Sequence, residues 1–281
     1  MAGIDYEAEY NNRARVPDHA EIFARWAREA EEYRLLAMEE RRAELGLAYS
    51  STPRQFVDLF WPNSAEKAPL AVFIHGGYWK SLEPALFSQV ARGLNAHGIG
   101  VAIVGYNLCP MVTVSDIIEE MRHACLFLWQ RTGQRLLVYG HSAGGHLAGA
   151  MLATDWHTLY PKMPADFVPA AYSVSGLFDL TPLLQVASAS DLGLDGGEAR
   201  RASPMFWPAP AGRTFDAVVG GAESSEFLRQ SREIAETWKK GGAETRYEEI
   251  AGANHFTALD PLSDPNSPMV ARLAELAKKI Q

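Results

Sequence analysis

Cysteine is scarce in this 281-residue chain, which has only Cys109 and Cys125. Two cysteines build no disulfide framework and these have no metal-site spacing, so both read as small buried hydrophobes in a reducing, cytoplasmic setting. No apolar run nears the roughly 20 residues of a membrane span. The acidic opening from Met1 to Glu7 reads as lacking the apolar stretch of a secretory signal. Charge of one sign never runs long, although the formal net charge is −8. Nucleic acid and anionic membranes are therefore not expected partners. A phosphate-binding loop is also missing, because Gly140 to Gly145 carries no lysine. There is no His-Glu-x-x-His, and His141 and His146 fall off one helical face. The expectation is a protein with no metal and no cofactor, whose partner is a small molecule; a homodimer stays open.

What is present is an alternation of strands and helices. A 47% hydrophobic content can fill one large core. Residues 1–48 stand apart as a helical N-terminal arm, with Ile22, Trp26, Tyr33 and Leu36 near helical spacing. The arm reads as ordinary packing on the main domain of residues 49–281 rather than as a substrate contact. Strands are expected at 56–61 (half-buried), 70–74, 99–104, 135–139, 168–174, 216–219 and 245–250. Helices are expected at 83–97, 114–132, 146–153, 226–240 and 269–280. Such alternation predicts an α/β fold with a mostly parallel, doubly wound sheet and helices on both faces. Residues 179–212, rich in proline and glycine, break the rhythm and read as a small cap inserted between strands.

The most informative stretch is Tyr139-Gly140-His141-Ser142-Ala143-Gly144-Gly145-His146. Its Gly-x-Ser-x-Gly core sits between an expected strand and an expected helix, as a nucleophile elbow requires. Glycines at 140 and 144 suit so sharp a turn. The opening turn of the helix offers unpaired N–H groups to a developing negative charge. The plainer reading is a glycine-rich turn with a capping serine.

A serine hydroxyl needs a base, and the base needs an orienting acid. An elbow of this kind places them in the chain order Ser, Asp/Glu, His. His255, in the loop after the 245–250 strand, fits the base. Glu223 follows Gly220 and Gly221 at the end of the previous strand and fits the acid. Glu226 and Asp179 are rival acids, the first as a helix opener and the second as the residue after the 168–174 strand. His75-Gly76-Gly77-Tyr78-Trp79 follows the 70–74 strand, where a second oxyanion element belongs. The donors are expected among the N–H groups of Gly76, Gly77 and Tyr78, with Ala143. His75 reads as a structural holder of that loop. Tyr78 and Trp79 read equally as aromatic pocket walls or as loop packing, Phe206 and Trp207 as aromatic walls in the cap, and His141 as a further lining residue.

Four stretches together resemble the kynurenine formamidase (arylformamidase) branch of the α/β-hydrolases, which adjoins the hormone-sensitive-lipase-like esterases. They are His75 to Trp79, Gly140 to Gly144, Val219 to Phe227, and Asn254-His255-Phe256. The resemblance runs from about residue 55 to the end, and the arm fits it loosely. It implies a triad of Ser142, Glu223 and His255 and hydrolysis of N-formyl aryl amides or small esters. The acid in that branch is commonly aspartate, so Glu223 is a departure. A transacylase or C–C hydrolase with the same triad, and a non-catalytic ligand-binding protein of the same fold, are the alternatives.

Overall fold

The computed structural model describes residues 3–63 and 68–280. Three helices come first: α1 (Tyr6–Tyr10), α2 (Asn12–Arg15) and α3 (His19–Glu39). The strands are β1 (Ala43–Ala48), β2 (Phe56–Phe60), β3 (Leu70–Ile74), β4 (Gly100–Val104), β5 (Leu136–His141), β6 (Ala170–Val174), β7 (Thr214–Gly220) and β8 (Glu244–Ile250). Between and after them lie α4 (Ala91–Ala96), α5 (Val114–Thr132), α6 (Ala143–Ala153), α7 (Trp156–Leu159), α8 (Gly196–Arg201), α9 (Ser225–Lys240) and α10 (Pro268–Lys279). All eight strands join one sheet in the order β1-β2-β4-β3-β5-β6-β7-β8. β2 is antiparallel to both β1 and β4, while β3 to β8 are parallel.

The central strands are apolar throughout because both faces are covered. The period of two sorts their side chains into two cores. Val72, Ile74, Ala102, Val104 and Val138 pack on the side of α5 and α6, while Phe73, Ala71, Ile103, Val101 and Tyr139 pack on the side of α3 and α10. Each large side chain so buried contributes about 1.5–3 kcal/mol.

The arm departs from the helical expectation at its end, where residues 43–48 form β1. Leu45 and Leu47 alternate along it, and Gly46 takes a positive φ of 69° that a helix cannot use. The Gly46 N–H is accepted by Asp58 of β2 at 2.7 Å. Asp58 also pairs with Arg34 of α3 at 2.7 Å, tying the arm to the sheet edge. This cover explains why β2, expected to be half-buried, is buried from Val57 to Phe60. The expected helix at 83–97 begins as a 3-10 stretch, Pro84–Val90, before α4. The 179–212 segment crosses from β6 to β7 through short 3-10 turns and α8.

Candidate active site

The parallel strands deliver their C-terminal ends to one rim, and the site lies there. At the end of β5, Ser142 has φ 57° and ψ −120°, a conformation an L-residue adopts only under constraint. Such a position costs on the order of 1–3 kcal/mol and is held by its surroundings. Those surroundings require glycine: a Cβ on Gly144 would lie 1.8 Å from the Ile74 carbonyl oxygen, and one on Gly140 would lie 2.3 Å from that of Gly144. The Ser142 N–H donates to the Val174 carbonyl at 2.8 Å, locking the elbow to β6.

His255 follows β8 in a turn fixed by Asn254, whose side-chain oxygen accepts the N–H groups of Phe256 (3.0 Å) and Thr257 (2.9 Å). Its Nε2 lies 3.0 Å from Ser142 Oγ and its Nδ1 lies 2.6 Å from Glu223 Oε2. With Glu223 ionised, Nδ1 carries the proton and Nε2 accepts the serine hydroxyl. All three side chains are buried. The structure thus brings Ser142, His255 and Glu223 into one hydrogen-bonded line from three separate strand ends. The rivals lie elsewhere. Asp179 accepts the N–H and hydroxyl of Thr181, at 2.9 and 2.6 Å, and closes a local turn. Glu226 pairs with Arg229 and accepts the Tyr10 hydroxyl at 2.7 Å.

The elbow's neighbouring histidines are supports. His141 donates from Nε2 to the His255 carbonyl at 2.7 Å, and burial, aided by nearby His255, holds its pKa down at about 3. It therefore stays neutral and anchors the loop that carries His255. His146 is held at about 4 by burial and donates from Nε2 to the Ala202 carbonyl at 2.6 Å. His75 is likewise depressed to about 4 by burial. It stacks on Tyr106 at 4.4 Å and bonds the Gly76 carbonyl at 2.7 Å, which makes it the structural holder of its loop.

That loop is tight. Gly77, Tyr78 and Trp79 all take positive φ, of 112°, 57° and 53°. A Cβ on Gly77 would meet the Ser81 carbonyl at 2.2 Å, and one on Gly76 would meet Ser142 Cβ at 3.0 Å. Gly76 therefore lets the loop press against the elbow. Among the described residues the N–H groups of Gly77, Tyr78 and Ala143 have no intramolecular acceptor. Gly77 and Tyr78 line the same cavity as Ser142 and His255, while Ala143 begins α6 beside the serine.

The cavity measures about 380 Å³, and its walls correct four expectations. Trp79 is fully buried and lines none of it; its indole N–H donates to His146 Nδ1 at 3.2 Å. It is a strut from the loop through α6 to the inserted segment. Phe206 is 42% exposed with Arg200 over its ring, and Trp207 bonds the Arg201 carbonyl at 2.9 Å. Neither lines the cavity. The fourth concerns the arm, for which packing on the domain was the favoured reading over substrate contact. Tyr10, Asn12, Arg13, Phe23 and Trp26 all line the cavity, as does His141.

Polar ties hold the arm in place. The Tyr10 hydroxyl bridges Glu226 and Gln230, and Glu9 accepts the Glu226 N–H at 2.9 Å at the start of α9. Trp26 donates to Asp260 at 3.2 Å, and Phe23 meets Phe256 edge-on at 5.0 Å. The inserted segment adds Ser188 and Asp191, both bonded by Lys80. Ser175, which the sequence did not single out, donates to Glu223; a serine just after a strand and before Gly176 was its only signal.

Strand order, elbow and triad geometry together define an α/β-hydrolase with a serine nucleophile arrangement. A family model of the alpha/beta hydrolase fold matches residues 71–259, and the chain belongs to that family. It is similar to the kynurenine formamidase of Danio rerio, at 28% identity over 243 residues, covering 84% of this chain and 82% of the relative. The Drosophila melanogaster kynurenine formamidase is 29% identical over 220 residues, covering 74% and 73% of the two chains. A solved structure from Silicibacter sp. TM1040, provisionally named a thioesterase, is 32% identical with a TM-score of 0.82, covering 96% of this chain and 98% of that one. The chain is a hydrolase. Among the described residues no helix is long and apolar enough to cross a membrane.

Proposed function

We propose that this hydrolase cleaves aryl esters or N-formyl aryl amides with a short acyl side, through an acyl-enzyme on Ser142. The observation that carries the reading is the continuous Ser142–His255–Glu223 line at the floor of a cavity walled by aromatic side chains. Ser142 Oγ attacks the carbonyl while its proton passes to His255 Nε2. Glu223 stabilises the imidazolium through Nδ1. The oxyanion is met by the free N–H groups of Gly77 or Tyr78 and of Ala143, each worth about 3 kcal/mol in the transition state. His255 then protonates the leaving aryl oxygen or nitrogen, and the carbonyl is left as an ester on Ser142. Water, deprotonated by the same imidazole, releases the acid.

Phe23, Trp26, Tyr78 and Phe256 offer flat apolar surface to an aromatic leaving group, which supports the aryl assignment. The formamidase names of the two animal relatives agree with a formyl acyl group. The test is a hydrolysis panel of p-nitrophenyl esters of increasing acyl length, N-formylkynurenine and one aryl thioester, with Ser142→Ala as blank. Formyl, acetyl or butyryl substrates should react fastest. A methylene changes binding by only about 1–3 kcal/mol, but a chain that meets a closed wall is shut out. An optimum at eight or more acyl carbons would overturn the short-acyl assignment.

A further inference from the structure

Glu223 is buried and carries one more side-chain torsion than the aspartate this position resembles. A longer arm needs a second anchor if one of its oxygens is to stay aimed at His255. The structure provides one. Oε2 faces His255 Nδ1 at 2.6 Å, while Oε1 accepts the Gly220 N–H at 2.7 Å and the Ser175 hydroxyl at 2.5 Å. The two oxygens are thus divided between catalysis and support.

Ser175 is fully buried at the end of β6, the strand between β5, which carries the nucleophile, and β7, which leads to the acid. Its N–H is held by the Val218 carbonyl at 2.7 Å. Its φ is 56°, a region that favours glycine, and Gly176 follows it. A serine here bears backbone strain that glycine would not. Among the described residues, the side chain's one hydrogen bond is with Glu223.

We propose that Ser175 is a positioning residue for acyl transfer, whose hydroxyl clamps one oxygen of Glu223 so that the other orients His255. This rests on the triad reading above. A charge-assisted hydrogen bond of this kind is about twice as strong as a neutral one, and a carboxylate without it is free to turn.

The decisive variant is Ser175→Gly, which removes the hydroxyl and relieves the backbone at once. With p-nitrophenyl acetate as probe, kcat should fall about 10- to 100-fold, the cost of a lost hydrogen bond to a charged group, with KM within about 2-fold. The rate of Ser142 labelling by a fluorophosphonate should fall in parallel. The melting temperature should stay within about 4 °C. In a Glu223→Gln background the same change should cost less than about 3-fold, because the two residues act as one unit.

Unchanged kcat in Ser175→Gly, or an equal loss with and without Glu223→Gln, would overturn the inference. If Ser175→Gly does not fold, the strain argument fails, and Ser175→Ala carries the same kinetic criteria. A wild type that neither hydrolyses the probe nor takes the label would instead overturn the triad reading itself.

Discussion

The floor and the roof of this cavity are built on different principles. The floor is made of strand ends, and its turns are set by backbone, with buried side chains such as Asn254, His141 and Ser175 steadying the triad. Ser142 and Tyr78 sit at strained positive φ, and Gly76, Gly77, Gly140 and Gly144 allow contacts that a Cβ would forbid. The roof is made of the N-terminal helices and the inserted segment. It is fixed by side chains from distant parts of the chain, such as Tyr10 with Glu226 and Lys80 with Asp191. The difference teaches that reaction geometry is held by main-chain turns and short buried bonds at the strand ends, while the shape offered to substrate is held by polar ties between distant segments. A floor substitution should therefore strike kcat, and a roof substitution should strike KM.

The largest separation should come from the nucleophile. Ser142→Ala should lower kcat about 10⁴-fold or more while circular dichroism and melting stay near wild type. Next comes the acid: Glu223→Gln should lower kcat about 10²- to 10⁴-fold. Asp179→Asn, whose side chain bonds Thr181 in its own turn, should change kcat less than about 3-fold. The reverse ranking would place the orienting acid on the wrong strand. A roof change should behave otherwise. Phe23→Ala should raise KM for an aryl acetate about 10-fold and leave that for methyl acetate nearly unchanged, since only the aryl ring uses the wall. An equal rise for both esters would sever the arm from leaving-group recognition.

A separate effect concerns pH and belongs to the floor. His75, His141 and His146 are held neutral by burial at about 4, 3 and 4. Unfolding frees each to bind a proton below its ordinary value of about 6.5. The unfolded state then binds more protons than the folded one, so stability is full above about pH 6.5 and falls as pH drops toward 4. Each histidine removes about 1.4 kcal/mol per pH unit in that window. Melting temperatures measured from pH 7.5 to 5 should decline, and a flat profile would show that these rings are not buried neutral.

The same division explains what could be read from the chain. Ser142, Glu223 and His255 were legible because the turn chemistry of the elbow and the chain order of the triad leave a local trace. The strands β3 and β4 were legible from unbroken apolar residues. β1 was not, because Ala43, Glu44 and Leu45 favour helices locally and only Gly46 and the neighbouring strand decide otherwise. Trp79, Phe206 and Trp207 misled as pocket walls, since aromatic character does not say which way a side chain points. The arm's place over the site was invisible, because it rests on pairs such as Tyr10 with Gln230, which no local pattern records. Ser175 left only a Ser-Gly pair, which many turns share.

The central claim is that Ser142 carries the acyl group between the two half-reactions. Rapid acid quench of the protein with p-nitrophenyl butyrate, followed by peptide mass spectrometry, measures this directly. The account requires a butyryl adduct on the peptide holding Ser142, absent in Ser142→Ala and longer-lived in Glu223→Gln, where deacylation is slowed. Turnover of the ester with no adduct at any quench time in the wild type or in Glu223→Gln, or an adduct on another residue that survives Ser142→Ala with activity intact, would contradict it.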